Sequence, residues 1–234
     1  VKKKQVPSMV KDQQLVRKRR EQIVSAAVKL FNKKGYHGTT TREVAQASGF
    51  SIGTLYEYIG SKEDILYLVC DAVYDEVVEK WERLMDTNLQ GLDRLHQVID
   101  SYIRVVDDMQ NEVLVMYQET KSLPDDALNY VLGKELKMKS MFEKELRVCM
   151  EEGLLQLTEE GLALACHNIL VAGHMWTFRR WIVQKEYDID TYCKMQISQL
   201  FHGFRVRGTE GVEGKWEIKQ GAGLQTSVNT EGRA

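Results

Sequence analysis

The sequence predicts an all-α protein in which a small three-helix head, built on a helix-turn-helix, precedes a larger helical body. Three observations carry this. Residues 35–64 read as two short helices joined by a glycine turn and followed by the start of a third. Elsewhere apolar residues recur at helical spacing, the 234 residues hold two prolines, and no segment alternates as a strand does. Charge is divided as well: residues 1–64 carry 13 Lys and Arg against 6 Asp and Glu, and the rest carries 19 against 28. A basic head on an acidic body suits a chain with one end on nucleic acid, and a merely solvated basic tail has the same composition.

Composition sets further bounds. The chain is long enough for one large or two small domains, and 43% hydrophobic with 28% charged residues is ordinary for a soluble protein. No apolar run is long enough to span a bilayer, so a membrane partner is not expected. The N-terminus is basic but lacks the apolar run of a signal peptide. Cys70, Cys149, Cys166 and Cys193 are far apart, show no metal-type pairing and read as reduced core thiols in a cytoplasm.

Residues 1–12 are polar, contain Pro7 and read as a disordered basic arm; Lys2, Lys3 and Lys4 suit a minor-groove contact or a solubilising tail. Residues 13–61 form the head. Its first helix should run from about Gln14 to Lys34, where Ile23, Ala27, Leu30 and Phe31 make one apolar stripe that packs on Val44, Leu55 and Ile59. Arg17, Lys18, Arg19 and Arg20 precede the stripe and could touch phosphates. Thr40 and Glu43 have the capping-box spacing, in which hydroxyl and carboxylate each satisfy an orphan N–H at a helix start. Val44, Ala45 and Ser48 give that helix its inner face, and Gly49 permits the sharp turn. Ser51 caps the next helix, Ile52 to Ile59; Gly60 breaks it, and Ser61 caps a third, with Glu63 and Asp64 where the dipole favours acids. The second helix of such a motif lies in the major groove. Here Gly53 lets the backbone approach DNA, Thr54, Tyr56 and Tyr58 offer hydroxyls, and Lys62 puts a charge at a helix N-terminus, a ready phosphate site.

Gly35-Tyr36, Thr39 to Arg42, Val44-Ala45, Ala47 to Gly49, Ser51, Gly53 to Tyr56, Tyr58 and Ser61 to Asp64 together resemble the DNA-binding domain of the TetR family of bacterial transcriptional regulators. The match departs at Ile59-Gly60, where the family usually has Phe after the second Tyr, although a hydrophobe is kept. The resemblance implies DNA contacts at Thr41, Arg42, Ser51, Gly53, Thr54, Tyr56, Tyr58 and Lys62. Arg42 is the best candidate for a base contact, and Tyr56, Tyr58 and Lys62 for phosphates. It also implies a body for ligand binding and dimerisation, a homodimer on a palindromic double-stranded operator, and a bacterial cytoplasmic location at the nucleoid.

The body should span residues 62–205. A long helix from Lys62 to about Thr87 starts in the head and ends in the body, so it is the natural mechanical link. Leu92 to Val106, Glu112 to Lys121, Asp126 to Glu152, Thr158 to about Lys185 and Asp188 to about Phe204 supply the other helices, and 206–234 reads as a disordered tail. Ile169, Leu170, Ala172, Gly173 and Thr177, with Ile197, Leu200, Phe201 and Phe204, place small and apolar residues on the last two long helices, which pair across the two-fold axis in the family.

Eight of the nine methionines lie beyond residue 64, and residues 174–181 (HMWTFRRW) concentrate soft and aromatic surface. A Met-rich helical core has this look, and so does an adaptable apolar pocket. Under the pocket reading, Met116, Tyr117, Met138, Phe142, Trp176 and Phe178 are lining candidates. Arg179 and Arg180 would then receive a carboxylate or phosphate, or else sit on the surface at a helix end. The segments VLVMYQETKSLP and MWTFRRW also resemble body helices of TetR regulators linked to fatty-acid and acyl-CoA metabolism, which implies an effector of that class and no resident cofactor.

Enzyme readings fare poorly. His167 and His174 are two turns apart and could meet Glu119 or Asp107 at a metal, but core or interface histidines fit as well. No GxSxG, P-loop, GxGxxG or HExxH occurs, and neither a catalytic nor a metal site is expected. The expectation is therefore a ligand-responsive homodimeric repressor released from its operator by a small hydrophobic effector. The alternative is a ligand-independent DNA-binding or scaffolding dimer of the same fold.

Overall fold

The computed structural model describes residues 3–86, 88–203 and 205–206. Their helices are α1 (Gln13–Lys34), α2 (Thr41–Ala47), α3 (Ile52–Tyr56), α4 (Lys62–Leu84), α5 (Gly91–Asp108), α6 (Gln110–Glu119), α7 (Asp125–Glu151), α8 (Glu159–Phe178), α9 (Arg180–Glu186) and α10 (Ile189–Gly203). A 3-10 turn at Thr120–Ser122 follows α6. Strands β1 (Leu155–Gln156) and β2 (Arg205–Val206) form a two-residue antiparallel ladder, too short to leave an alternating pattern in the sequence. The expected tail beyond Val206, and the expected helix limits at Thr87 and Phe204, lie outside the described residues, as does Lys2.

Local side-chain chemistry fixes most helix starts. Thr40 and Glu43 form the capping box at α2, Ser61 and Asp64 form another at α4, and Asp12, Ser51 and Thr158 cap α1, α3 and α8. Asp188 accepts from the Thr191 N–H at 2.7 Å before α10. Three expected helices end sooner. The Ile52–Ile59 helix stops at Tyr56, because the Glu57 carbonyl turns out to accept from Met9 N–H at 2.8 Å and Ser8 Oγ at 3.0 Å. The Lys62 helix stops at Leu84, where Met85 becomes extended. The Thr158–Lys185 helix breaks at Arg179, whose φ of −106° and ψ of 21° leave the helical range; Gln184 Nε2 lies 3.3 Å from the Trp176 carbonyl freed there.

The head packs α1 across α2 and α3, with Ile23, Ala27, Phe31, Val44, Leu55 and Ile59 all buried, as the stripe predicted. Helix α4, roughly 35 Å long at 1.5 Å per residue, leaves the head and runs into the body against α5 and α7. At the body's centre Trp81 (α4), Tyr102 (α5) and Phe142 (α7) form an aromatic triad with ring centroids 4.7–5.7 Å apart. The Trp81 indole N–H donates to the Val98 carbonyl at 3.0 Å, so this large side chain is fully buried without an orphan donor. Helix α8 lies close on α5 because Gly173 leaves room: a Cβ there would stand 2.6 Å from Tyr102 Cε1. Gly173, Ile169, Leu170, Ala172 and Thr177 are thus buried within the protomer, which corrects their expected place on a dimer face. The exposed large apolar residues of α8 are Leu164 and Val171.

Candidate nucleic-acid interface and ligand cavity

The head's outer surface is built by α2, the Gly49 turn and α3. Gly49 has φ +76°, a conformation that L side chains rarely adopt. Leu55, fully buried, anchors α3 to the head core, and this leaves Ile52, Gly53 and Tyr56 facing out. Arg42 is exposed, and the Tyr56 hydroxyl reaches Thr41 Oγ1 at 3.3 Å, tying the two helices together at the surface. Ser51 Oγ is occupied by the Thr54 N–H at 3.0 Å and the Thr54 hydroxyl at 2.9 Å, so its first task is the cap. Among the described residues an added Cβ at Gly53 would meet only Ser51 Oγ, at 3.7 Å, so none of them demands glycine there. Glu43 has its pKa lowered to about 2, by hydrogen bonding to Lys34 first and to Thr40 next.

Two expected phosphate contacts, Tyr58 and Arg20, turn inward, and a third, Lys62, sits at the head's edge. Tyr58 is 5% exposed and stacks at a tilt on Phe50, 6.3 Å between centroids, so its ring serves the core. Arg20 turns inward, donating to the carbonyls of Tyr58 at 3.0 Å, Val6 at 2.8 Å and Pro7 at 3.1 Å; burial lowers its pKa against the pull of Asp64. Lys62 is half-buried with its ammonium 4.2 Å from the Tyr36 ring centroid, a cation–π contact that holds it at the head's edge. Burial lowers its pKa, with Glu63 opposing.

Residues 3–11, expected as part of a disordered arm, run without helix across the junction of α1, α3 and α4. Besides the Met9 and Arg20 bonds, Lys3 pairs with Asp71 at 2.7 Å and Lys4 with Asp64 at 3.2 Å, and both carboxylates are nearly inaccessible. Asp71 also pairs with Lys134 of α7, joining the strap to the body.

A small cavity lies among α4, α5, α6, α7 and α8, lined by Val113, Met116, Met138 and Leu170 with Tyr74, Tyr102, Glu135 and His174 as its polar groups. It has about 10 Å³ of room for water-sized occupants, enough for one water. The Tyr74 hydroxyl donates to Glu135 at 3.2 Å. Burial lowers the His174 pKa to about 4, leaving a neutral imidazole against Phe178 and Tyr117, whose rings lie 4.5 Å apart.

Of the sequence candidates, Met116 and Met138 line the cavity, and Tyr117 and Phe178 reach it only through His174. Phe142 belongs to the aromatic triad, and Trp176 packs on Tyr192 and donates to Asp107 at 2.6 Å. Arg179 and Arg180 are exposed, Arg180 bonding Asn111 Oδ1 at 2.8 Å, so neither stands at the cavity mouth. His167 is exposed while His174 is buried, and among the described residues no three His, Cys, Asp or Glu stand close enough to hold a metal ion. Tyr74, Tyr102, Glu135 and Leu170 were not legible as lining residues, since they come from four helices and share no local motif.

Helix α6 touches both regions. Val113 and Met116 face the cavity, while Asn111 O accepts from Asn32 Nδ2 at 3.1 Å and Glu119 Oε1 accepts from the Tyr36 N–H at 3.1 Å, both donors lying in the head. Beside them the Ser122 hydroxyl meets His37 Nε2 at 3.2 Å.

Comparison with known proteins agrees with this arrangement. The family model described as bacterial regulatory proteins, tetR family, matches residues 23–67, and that described as tetracyclin repressor-like, C-terminal domain, matches residues 88–179. The transcriptional regulator HbdR of Aromatoleum sp. strain CIB is 32% identical over 199 residues, 85% of this chain and 86% of that one. The transcriptional repressor KstR2 of Rhodococcus jostii RHA1 is 21% identical over 79% of this chain and 90% of its own. Among solved structures, a tetR-family regulatory protein from Rhodococcus RHA1 superposes with a TM-score of 0.71 at 22% identity, covering 79% of this chain and 96% of that one. AibR, solved in complex with isovaleryl coenzyme A and operator DNA, gives 0.68 at 20% identity, covering 78% and 98%.

Proposed function

The chain belongs to the TetR family of bacterial transcriptional regulators, and on that premise we propose that it is a homodimeric repressor released from its operator by a small hydrophobic effector. Membership makes it a DNA-binding regulator and not an enzyme. The finer reading assigns residues 13–61 to DNA and 62–205 to effector and partner. Thr41, Arg42, Gly53, Thr54 and Tyr56 face the operator, Lys62 holds a phosphate at the edge, and Ser51 shapes the helix end. Leu164 and Val171 on α8 and Met195 on α10, all exposed apolar residues, belong to the two-fold interface. A two-fold dimer reads a palindrome with half-sites one helical turn apart, about 34–36 Å. The location is the cytoplasm, at the nucleoid.

The observation that carries this reading is the double duty of α6, which lines the cavity with Val113 and Met116 and holds the head through Asn111 and Glu119. A cavity with room for one water admits an effector only by moving its walls, and α6 is one of them. The effector therefore binds the displaced state better, and that difference in affinity sets how far the operator is released. The apolar walls favour an acyl group from a fatty acid or an acyl-CoA, and the isovaleryl coenzyme A bound to AibR supports that class. The small size of the void favours a second reading, a dimer that binds DNA without an effector.

Native mass spectrometry of the purified protein, followed by mass analysis of what denaturation releases, separates them. A dimer that releases an acyl-CoA or fatty acid, and that loses operator affinity when the compound is restored, supports the first. A dimer whose operator affinity no acyl compound changes supports the second.

A further inference from the structure

We infer that Ile52 reads a thymine methyl group in the major groove, an inference that rests on the DNA-binding reading above. Ile52 is the first residue of α3 and is 38% exposed, whereas Leu55 is fully buried. Tyr56, one turn on, is 40% exposed, so the two form one outward ridge. Ile52 lies outside the buried core cluster and the side chains packed on it. The cap of α3 is already made by Ser51, and a β-branched side chain is no help to a helix start.

Its surroundings are polar and open. Gly53 beside it exposes bare backbone, the Tyr56 and Thr41 hydroxyls are joined at 3.3 Å, and Arg42 projects from α2. Ile52 is thus an apolar spot on a surface otherwise made of donors and acceptors. Among the base edges of the major groove, the thymine C5 methyl is the one apolar group; the other bases offer hydrogen-bonding atoms. The pairing of Ile52 with that methyl selects an A·T pair, in one orientation, at one position of each half-site, beside the pair that Arg42 contacts.

The test uses the full chain and duplexes it enriches from a random library. Each thymine of the enriched half-site is replaced by deoxyuridine, which lacks only the methyl, and affinity is measured for the unaltered protein and for Ile52→Ala. The expected result is one position per half-site where the loss of the methyl weakens the unaltered protein about fourfold, the equivalent of burying one methyl group, and leaves Ile52→Ala indifferent. Ile52→Ala should melt close to the unaltered protein, because the side chain lies at the surface and outside the buried core cluster. Indifference of the unaltered protein at every thymine, or continued sensitivity of Ile52→Ala to the same methyl, overturns the inference and leaves DNA binding intact. A library that yields no enriched duplex overturns the DNA-binding reading itself.

Discussion

Glu119 Oε1 on α6 accepts the backbone N–H of Tyr36 at 3.1 Å, so a half-buried carboxylate of the body holds the turn that leads into α2. A hydrogen bond to a charged group contributes about 1.5–3 kcal/mol. Glu119→Ala should deprotect the Tyr36 amide in hydrogen exchange and weaken operator binding, whereas Glu119→Gln, which keeps an acceptor oxygen, should preserve both. Equal behaviour of the two variants would remove Glu119 from the coupling.

His174 gives a pH dependence with a definite sign. It is 8% exposed, burial lowers its pKa to about 4, and Glu135 lines the same cavity from α7. Above the unfolded value of 6.5 the imidazole is neutral in both states. As pH falls through 6.5 the unfolded chain takes up the proton first, so stability is lost progressively down to about pH 4. Between pH 7 and pH 5 the native protein should lose about 2 kcal/mol more than His174→Gln in denaturant unfolding. Identical losses would mean that His174 titrates normally in the fold.

The strap of residues 3–11 is bound by two ion pairs to nearly inaccessible carboxylates, Asp71 and Asp64, and closes the end of α3 through Met9. Deletion of residues 1–11 leaves the Arg20 guanidinium and the Asp64 carboxylate short of partners. The truncated chain should lose about 2–4 kcal/mol of stability and should bind DNA more weakly, because Glu57 no longer fixes α3. A melt unchanged by truncation would contradict the strap.

Lys62 and Arg42 should separate affinity from specificity. Lys62→Ala should weaken binding to all sequences and lower the salt slope by about one unit. Arg42→Ala should relax preference at one base position at a cost of about 1–3 kcal/mol. The salt titration and the selected-sequence profile read the two effects independently.

The head was legible because its signals are local. Thr40 with Glu43, Gly49, and Ser51 each act within four residues, and the helix starts fall where those residues place them. Tyr58 and Arg20 were misplaced because what turns them inward is tertiary: Phe50 covers one, and the backbone of a segment ten or more residues away captures the other. The break at Arg179 carries no Gly or Pro; its freed carbonyl is met by Gln184, a residue with no break-like character in the sequence. Methionine content led to Met116 and Met138 but not to Tyr74 or Glu135, whose meeting depends on how α4 packs on α7.

The central claim, a two-fold dimer that reads a two-fold operator, is tested most directly by native mass spectrometry of the protein on duplexes it enriches from a random library. The expected result is an inverted repeat carrying two protomers, with half-site centres about 34–36 Å apart or a multiple of that. A single protomer on an asymmetric site, or no enrichment of any sequence, would contradict it.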